Sequence, residues 1–141
     1  MTLSELHNKL QETGVPSESY YLHGLYGSSN DDGKVALSIN RGKHFIEYEI
    51  YRMSRGQRTT ENVFTEESKA CEYLFKKIRD SWILKKIHQI QDLKNMSIEA
   101  RLVASGLKDE FEYCLAHDKT RAVYLLRWLE VEQSVINSLV H

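Results

Sequence analysis

The stretch Val35-Ala36-Leu37-Ser38-Ile39-Asn40-Arg41-Gly42-Lys43-His44-Phe45-Ile46-Glu47-Tyr48-Glu49-Ile50-Tyr51 decides the fold. Val35, Leu37 and Ile39 alternate with Ala36, Ser38 and Asn40. After Arg41-Gly42-Lys43, the residues Ile46, Tyr48 and Ile50 alternate with Phe45, Glu47, Glu49 and Tyr51. Period-two alternation on both sides of a glycine turn predicts two antiparallel strands joined as a hairpin. Successive strand side chains point to opposite faces, so Val35, Leu37, Ile39, Ile46, Tyr48 and Ile50 are expected on one buried face. Phe45, Glu47, Glu49 and Tyr51 then share the other.

Upstream, Thr2 with Glu5 three residues later is a capping box, and Leu3, Leu6 and Leu10 repeat at helical spacing until Gly14 and Pro16. A helix over residues 3–13 is expected, followed by a short β-prone piece, Tyr20-Tyr21-Leu22-His23. The segment from Gly24 to Gly33 is rich in turn formers and reads as a loop. Downstream, Ser54-Arg55-Gly56-Gln57 makes a turn into a weaker third strand over residues 59–64. Thr65 is a candidate N-cap, and Glu66 and Glu67 suit the positive end of a helix dipole. Ala70, Cys71, Leu74, Phe75, Ile78 and Trp82 supply an apolar stripe. That helix continues, or kinks and resumes, through Ile83, Ile87 and Ile90 to about Lys94. Ser97 caps a short helix ending at Gly106, a further helix spans residues 107–116, and Asp118 caps a last one carrying Val123, Leu126, Leu129 and Ile136. The class is α+β: an N-terminal helix, an antiparallel three- to four-stranded sheet, a long helix and a C-terminal helical part. Residues 1–94 form the α+β module and 95–141 a helical extension packed on it as one compact unit.

The chain has 141 residues, of which 41% are hydrophobic, enough for a core without staples. Nineteen basic against twenty acidic residues leave a net charge of −1, so no global field draws it to nucleic acid or an anionic membrane. The polar start is unlike a secretory signal and no apolar run is long enough for a membrane span, so a cytoplasmic location is expected. Cys71 and Cys114 each fall in a helical apolar pattern and read as reduced core residues.

Phosphate loops, zinc spacings and nucleophile elbows are absent. The histidines, at positions 7, 23, 44, 88, 117 and 141, show no pair at metal-ligand spacing, so neither a metal nor a cofactor nor a catalytic residue is expected. Lys76, Lys77, Arg79, Lys85 and Lys86 crowd the long helix but do not share one face at about 100° per residue, and acids are interspersed. The α-β-β-β-α order is similar to that of double-stranded-RNA-binding domains, which supplies an alternative reading as an RNA-binding module. Where those domains carry lysines at the start of the second helix, this chain has Thr65-Glu66-Glu67-Ser68-Lys69. Direct nucleic-acid binding is therefore not expected. Glu47, Glu49 and Tyr51 on one strand face, with Asp109, Glu110 and Glu112 on a C-terminal helix, form candidate acidic-aromatic patches for a basic partner. Aromatic side chains carry interface energy, and acids steer a cationic partner and fix its register.

The motif Ser19-Tyr20-Tyr21-Leu22-His23-Gly24, the paired strands, the Arg55-Gly56 turn and Val63-Phe64-Thr65-Glu66-Glu67-Ser68-Lys69-Ala70-Cys71-Glu72-Tyr73-Leu74 resemble small immunity proteins of bacterial polymorphic-toxin and contact-dependent growth-inhibition systems. Ser97-Ile98-Glu99-Ala100-Arg101 and Ser105-Gly106-Leu107-Lys108-Asp109-Glu110-Phe111 are similar to a helical extension of some of them, although Ser54 stands where their pattern has an acid before Arg-Gly. The resemblance implies a cytoplasmic, non-enzymatic inhibitor. Its partner would be the C-terminal toxin domain of a cognate effector, a nuclease in many such systems, and it would block that domain's active site or substrate groove.

Overall fold

The computed structural model describes residues 1–140, so His141 lies outside the described residues. Helix α1 is Leu3–Thr13, and its capping box is formed: the Glu5 N–H donates to Thr2 Oγ1 at 3.2 Å, and the Thr2 N–H donates to the Glu5 carboxylate at 3.3 Å. Gly14, at φ +90°, ends the helix in the left-handed conformation that glycine adopts without Cβ strain.

Five strands follow: β1 (Tyr20–Leu22), β2 (Tyr26–Gly27), β3 (Val35–Arg41), β4 (Ile46–Ser54) and β5 (Gln57–Phe64), in the order β2-β1-β3-β4-β5. The class is α+β as expected, but the sheet is mixed and five-stranded instead of antiparallel and three- to four-stranded. β1 runs parallel to β3, and the other neighbours are antiparallel. The connection from Leu22 to Val35 makes this possible, because parallel strands need a crossover of about a dozen residues. β2 lies within the segment read as a loop; two residues are too few to show any alternation. The β4–β5 turn places both Arg55 (φ +51°) and Gly56 (φ +76°) in positive φ, as a two-residue type I′ hairpin requires.

Helix α2 is Glu67–His88, shorter at its C-terminus than the expected run to Lys94. The chain divides within it into two compact units, Met1–Trp82 and Ile83–His141, and not after residue 94. The side chains explain the place of the division. Leu74 and Ile78 join the core of the first unit, whereas Ile83, Ile87 and Ile90 pack with Leu93, Leu102 and Leu126 in the second. The second unit contains α3 (Ile98–Ser105), α4 (Lys108–His117), α5 (Lys119–Trp128) and α6 (Gln133–Leu139). Ser97 caps α3 and Asp118 caps α5 as expected, each accepting a backbone N–H three residues on at 3.1 Å. The expected last helix is two, broken where Glu130 takes a positive φ of 60°. Arg101 binds that break, donating to the carbonyls of Leu129 and Glu130 at 3.0 and 3.2 Å, and also to those of Met96 and Lys94.

In the first unit, Leu6 and Leu10 of α1 and Cys71 and Leu74 of α2 pack with Tyr20, Leu22, Leu37 and Ile50 of the sheet. The buried face is thus of the expected parity, but only its near end is covered. Leu37 and Ile50 are fully buried, Ile39 and Tyr48 are half-buried, and Ile46 is 41% exposed. β1 pairs with β3 only over Val35–Leu37, so the far end of the β3–β4 hairpin projects past its neighbouring strand. Cys71 and Cys114 are buried in the two cores; burial, with Glu67 second, pushes the Cys71 thiol up to about 11.

The gradient predicts unequal costs along one strand. Ile50→Ala should lose about 2–5 kcal/mol in urea unfolding, as buried large-to-small changes do. Ile46→Ala should lose less than about 1 kcal/mol, because its side chain already meets water.

Candidate functional site

The two candidate patches fall in different units, and each is described by itself. On β4, Tyr51 is not on an open face: it is 1% exposed. The turn-rich segment before β3 covers it. Lys34 Nζ organises that segment by donating to Ser28 Oγ at 2.6 Å and to Asn30 Oδ1 at 3.0 Å. Asp31 then accepts the Tyr51 hydroxyl at 2.7 Å, and the Arg58 guanidinium lies 3.8 Å from the Tyr51 ring centroid. Desolvation, followed by the hydrogen bond to the Asp31 carboxylate, pushes the Tyr51 phenol well above its ordinary range.

Glu49 is drawn into the same network. It accepts from Asn40 Nδ2 at 3.1 Å, from Arg58 Nη1 at 2.9 Å and from the Thr60 hydroxyl. The Thr60 hydrogen bond is the main reason its carboxyl is held below the usual glutamate range, with Asn40 and Arg58 adding to it against the opposing desolvation. Three strands are thereby tied across the solvent-side face: Asn40 from β3, Glu49 and Tyr51 from β4, and Arg58 and Thr60 from β5. Glu47 is half-buried and makes no ion pair among the described residues. Of the three strand residues proposed to meet a partner, Glu49 and Tyr51 are committed to holding the sheet.

On α4 the three acids also separate. Glu110 accepts from Arg121 Nε and Nη2 at 3.2 and 3.1 Å, and Arg121 is 9% exposed with its guanidinium 4.8 Å from the Trp128 ring centroid. This carboxylate neutralises a buried cation between α4 and α5. Asp109 and Glu112 are exposed, and spacings of three and four along a helix bring Asp109, Glu112 and Tyr113 onto one face. Tyr113 is 64% exposed, with its ring centroid 4.4 Å from that of His117. Sequence reading missed Tyr113, because an outward aromatic between buried Phe111 and Cys114 is visible only once the helix phase is fixed.

The remaining sequence candidates have local roles. His23, at φ +53°, accepts the Ile39 N–H on Nδ1 at 3.0 Å, and His7 Nδ1 lies 2.8 Å from the hydroxyl of buried Tyr20. Within the basic run of α2, Lys77 pairs with Glu61 and Arg79 lies 3.7 Å from Asp80. Among the described residues, no group of three His, Cys, Asp or Glu could hold a metal ion, and no helix is long and apolar enough to cross a membrane. Compared with known proteins, the chain matches no family model, no curated protein and no solved structure.

The network sets a pH dependence. Because the folded-state pKa of Glu49 is depressed, its contribution to stability is present above its ordinary value near 4.5 and is lost as pH falls through the lower folded value. Glu49→Gln should therefore lower Tm at neutral pH, and the gap to wild type should close as pH drops below about 4.5. In the same melts at neutral pH, Tyr51→Phe should cost about 1.5–3 kcal/mol, the range for a hydrogen bond to a charged partner.

Proposed function

We propose that this chain is an immunity protein that binds the C-terminal toxin domain of a bacterial effector, a nuclease, and blocks its active site or substrate groove. The observation that carries this reading is the outward face of α4, where Asp109, Glu112 and Tyr113 combine negative charge with a largely exposed aromatic ring. A nuclease domain presents a cationic surface where it holds phosphates, and exposed carboxylates accelerate encounter with such a surface. Tyr113 can then supply the desolvated anchor that charge alone does not. The resemblance of the Ser19–Ile78 region and of the helical extension to immunity proteins points the same way. The reading moves the contact from the strand face to α4, since Glu49, Tyr51 and Glu110 have internal partners.

The test is binding to the purified toxin domain encoded by the neighbouring gene, followed by protection of cells expressing that domain. The double variant Asp109→Lys/Glu112→Lys should slow association and flatten its salt dependence. Tyr113→Ala should raise the dissociation rate by about tenfold or more, equivalent to at least about 1.4 kcal/mol. If both variants fold, bind and protect as wild type does, the α4 surface is wrong. If the wild-type protein neither binds nor protects, the immunity reading fails with it.

A further inference from the structure

The uncovered end of the β3–β4 hairpin forms one wall of a groove of about 340 Å³ in the first unit. Ile39, Ile46 and Tyr48 face it from the sheet, Leu25 from the turn before β2, and the first turn of α1 closes the opposite side. Leu25 is 61% and Ile46 41% exposed, so the lining is apolar surface that the fold leaves in water. Covering it is favourable at roughly 25 cal/mol per Å² of apolar area.

Charge selects what can cover it. Arg41 lies at the rim and makes no ion pair among the described residues. Glu67, the carboxylate of this groove, is already committed: it accepts the Leu3 N–H at 3.0 Å and so is held against the N-terminus of α1. That terminus is itself the positive end of an 11-residue helix dipole. Arg41 is therefore the one charged side chain of the lining with no hydrogen-bond or ion-pair partner among the described residues, beside an apolar floor, while Glu67 and the capped α1 N-terminus satisfy each other. The next residues of the hairpin, Lys43 and His44, carry no acid either.

We propose that this groove binds a short segment of a partner protein in which an aliphatic or aromatic anchor is flanked by a carboxylate, the anchor lying on Ile46 and Leu25 and the carboxylate pairing with Arg41. The requirement is opposite in sign to that of the α4 face. It stands independently of the toxin reading, because it concerns another surface and can be tested without the toxin.

The test is selection of a random peptide display library on the immobilised wild-type protein, with enriched peptides synthesised, labelled and titrated by fluorescence anisotropy. Enriched peptides are expected to pair an apolar anchor with Asp or Glu. Their affinity should fall by about tenfold or more for Arg41→Glu, less for Arg41→Gln, and should be lost for Ile46→Asp. Both positions are solvent-accessible, and far-UV circular dichroism verifies that each variant is folded; Ile46→Ala replaces Ile46→Asp if it is not. Amide shifts on peptide addition should centre on β3 and β4. Enrichment of basic peptides, binding unaffected by Arg41→Glu, or no enrichment over an uncoated surface would each overturn the proposal. Binding of the wild type to phosphatidylserine vesicles or to single-stranded RNA, lost in Arg41→Glu while no peptide binds, would overturn it in favour of those ligands.

Discussion

The first unit depends on one cross-strand pair. Leu37 of β3 and Ile50 of β4 lie opposite each other, and both are fully excluded from water beneath α1 and the start of α2. Because side chains alternate with period two, fixing that pair fixes the facing of every other residue in the hairpin. It sends Ala36 and Tyr51 to the opposite side, where Asp31 and Arg58 meet the tyrosine, and it brings Glu49 within reach of Thr60. A slip by one residue would bury Glu49 without its partners and expose Leu37. Such a state is disfavoured by several kcal/mol in polar desolvation alone. The polar network and the apolar core are thus two results of one register.

The parts of the fold legible in the sequence are those with a local cause. The Thr2–Glu5 box, the Ser97 and Asp118 caps, and the Gly14 and Gly106 stops act within three or four residues, and each occurs where the sequence puts it. The hairpin parity was legible for the same reason. Burial along the hairpin was not, because it depends on how far α1 and β1 extend over it. Ile46 and Ile50 look alike in an alternating pattern and differ entirely in their cover. Tyr51 was misread as part of an outer surface because its lid is a turn-rich segment held by Lys34, and nothing in the composition of that segment announces where it folds. Glu110 differs from Asp109 and Glu112 only through Arg121, eleven residues later on another helix. Acidic residues clustered in sequence therefore divided into one structural and two surface groups.

The two units present surfaces of contrasting character. On α4, negative side chains surround an exposed ring; in the β3–β4 groove, apolar side chains are bordered by an uncommitted guanidinium. Neither requires a strained backbone. Phe45, at the hairpin tip, lies over Gly42: a Cβ on that glycine would stand 2.6 Å from the Phe45 ring, so a side chain there would displace the ring.

The β4–β5 pairing contains an irregularity. Ile50 pairs with Asn62 and Tyr51 with Thr60, leaving Glu61 as an extra residue whose carboxylate reaches Arg52 and Lys77. β5 is also the last strand of the sheet, with eight residues and one side of its backbone unpaired by any neighbouring strand. A flat strand in that position would template the addition of further copies, the first step of fibrous aggregation. The extra residue interrupts the regular spacing of donors and acceptors and increases the local twist. An acid anchored to α2 at that point also resists the flattening that stacking would need. The irregularity at Glu61 thus works against colloidal association through the open edge, because it makes that edge a poorer template for a second copy.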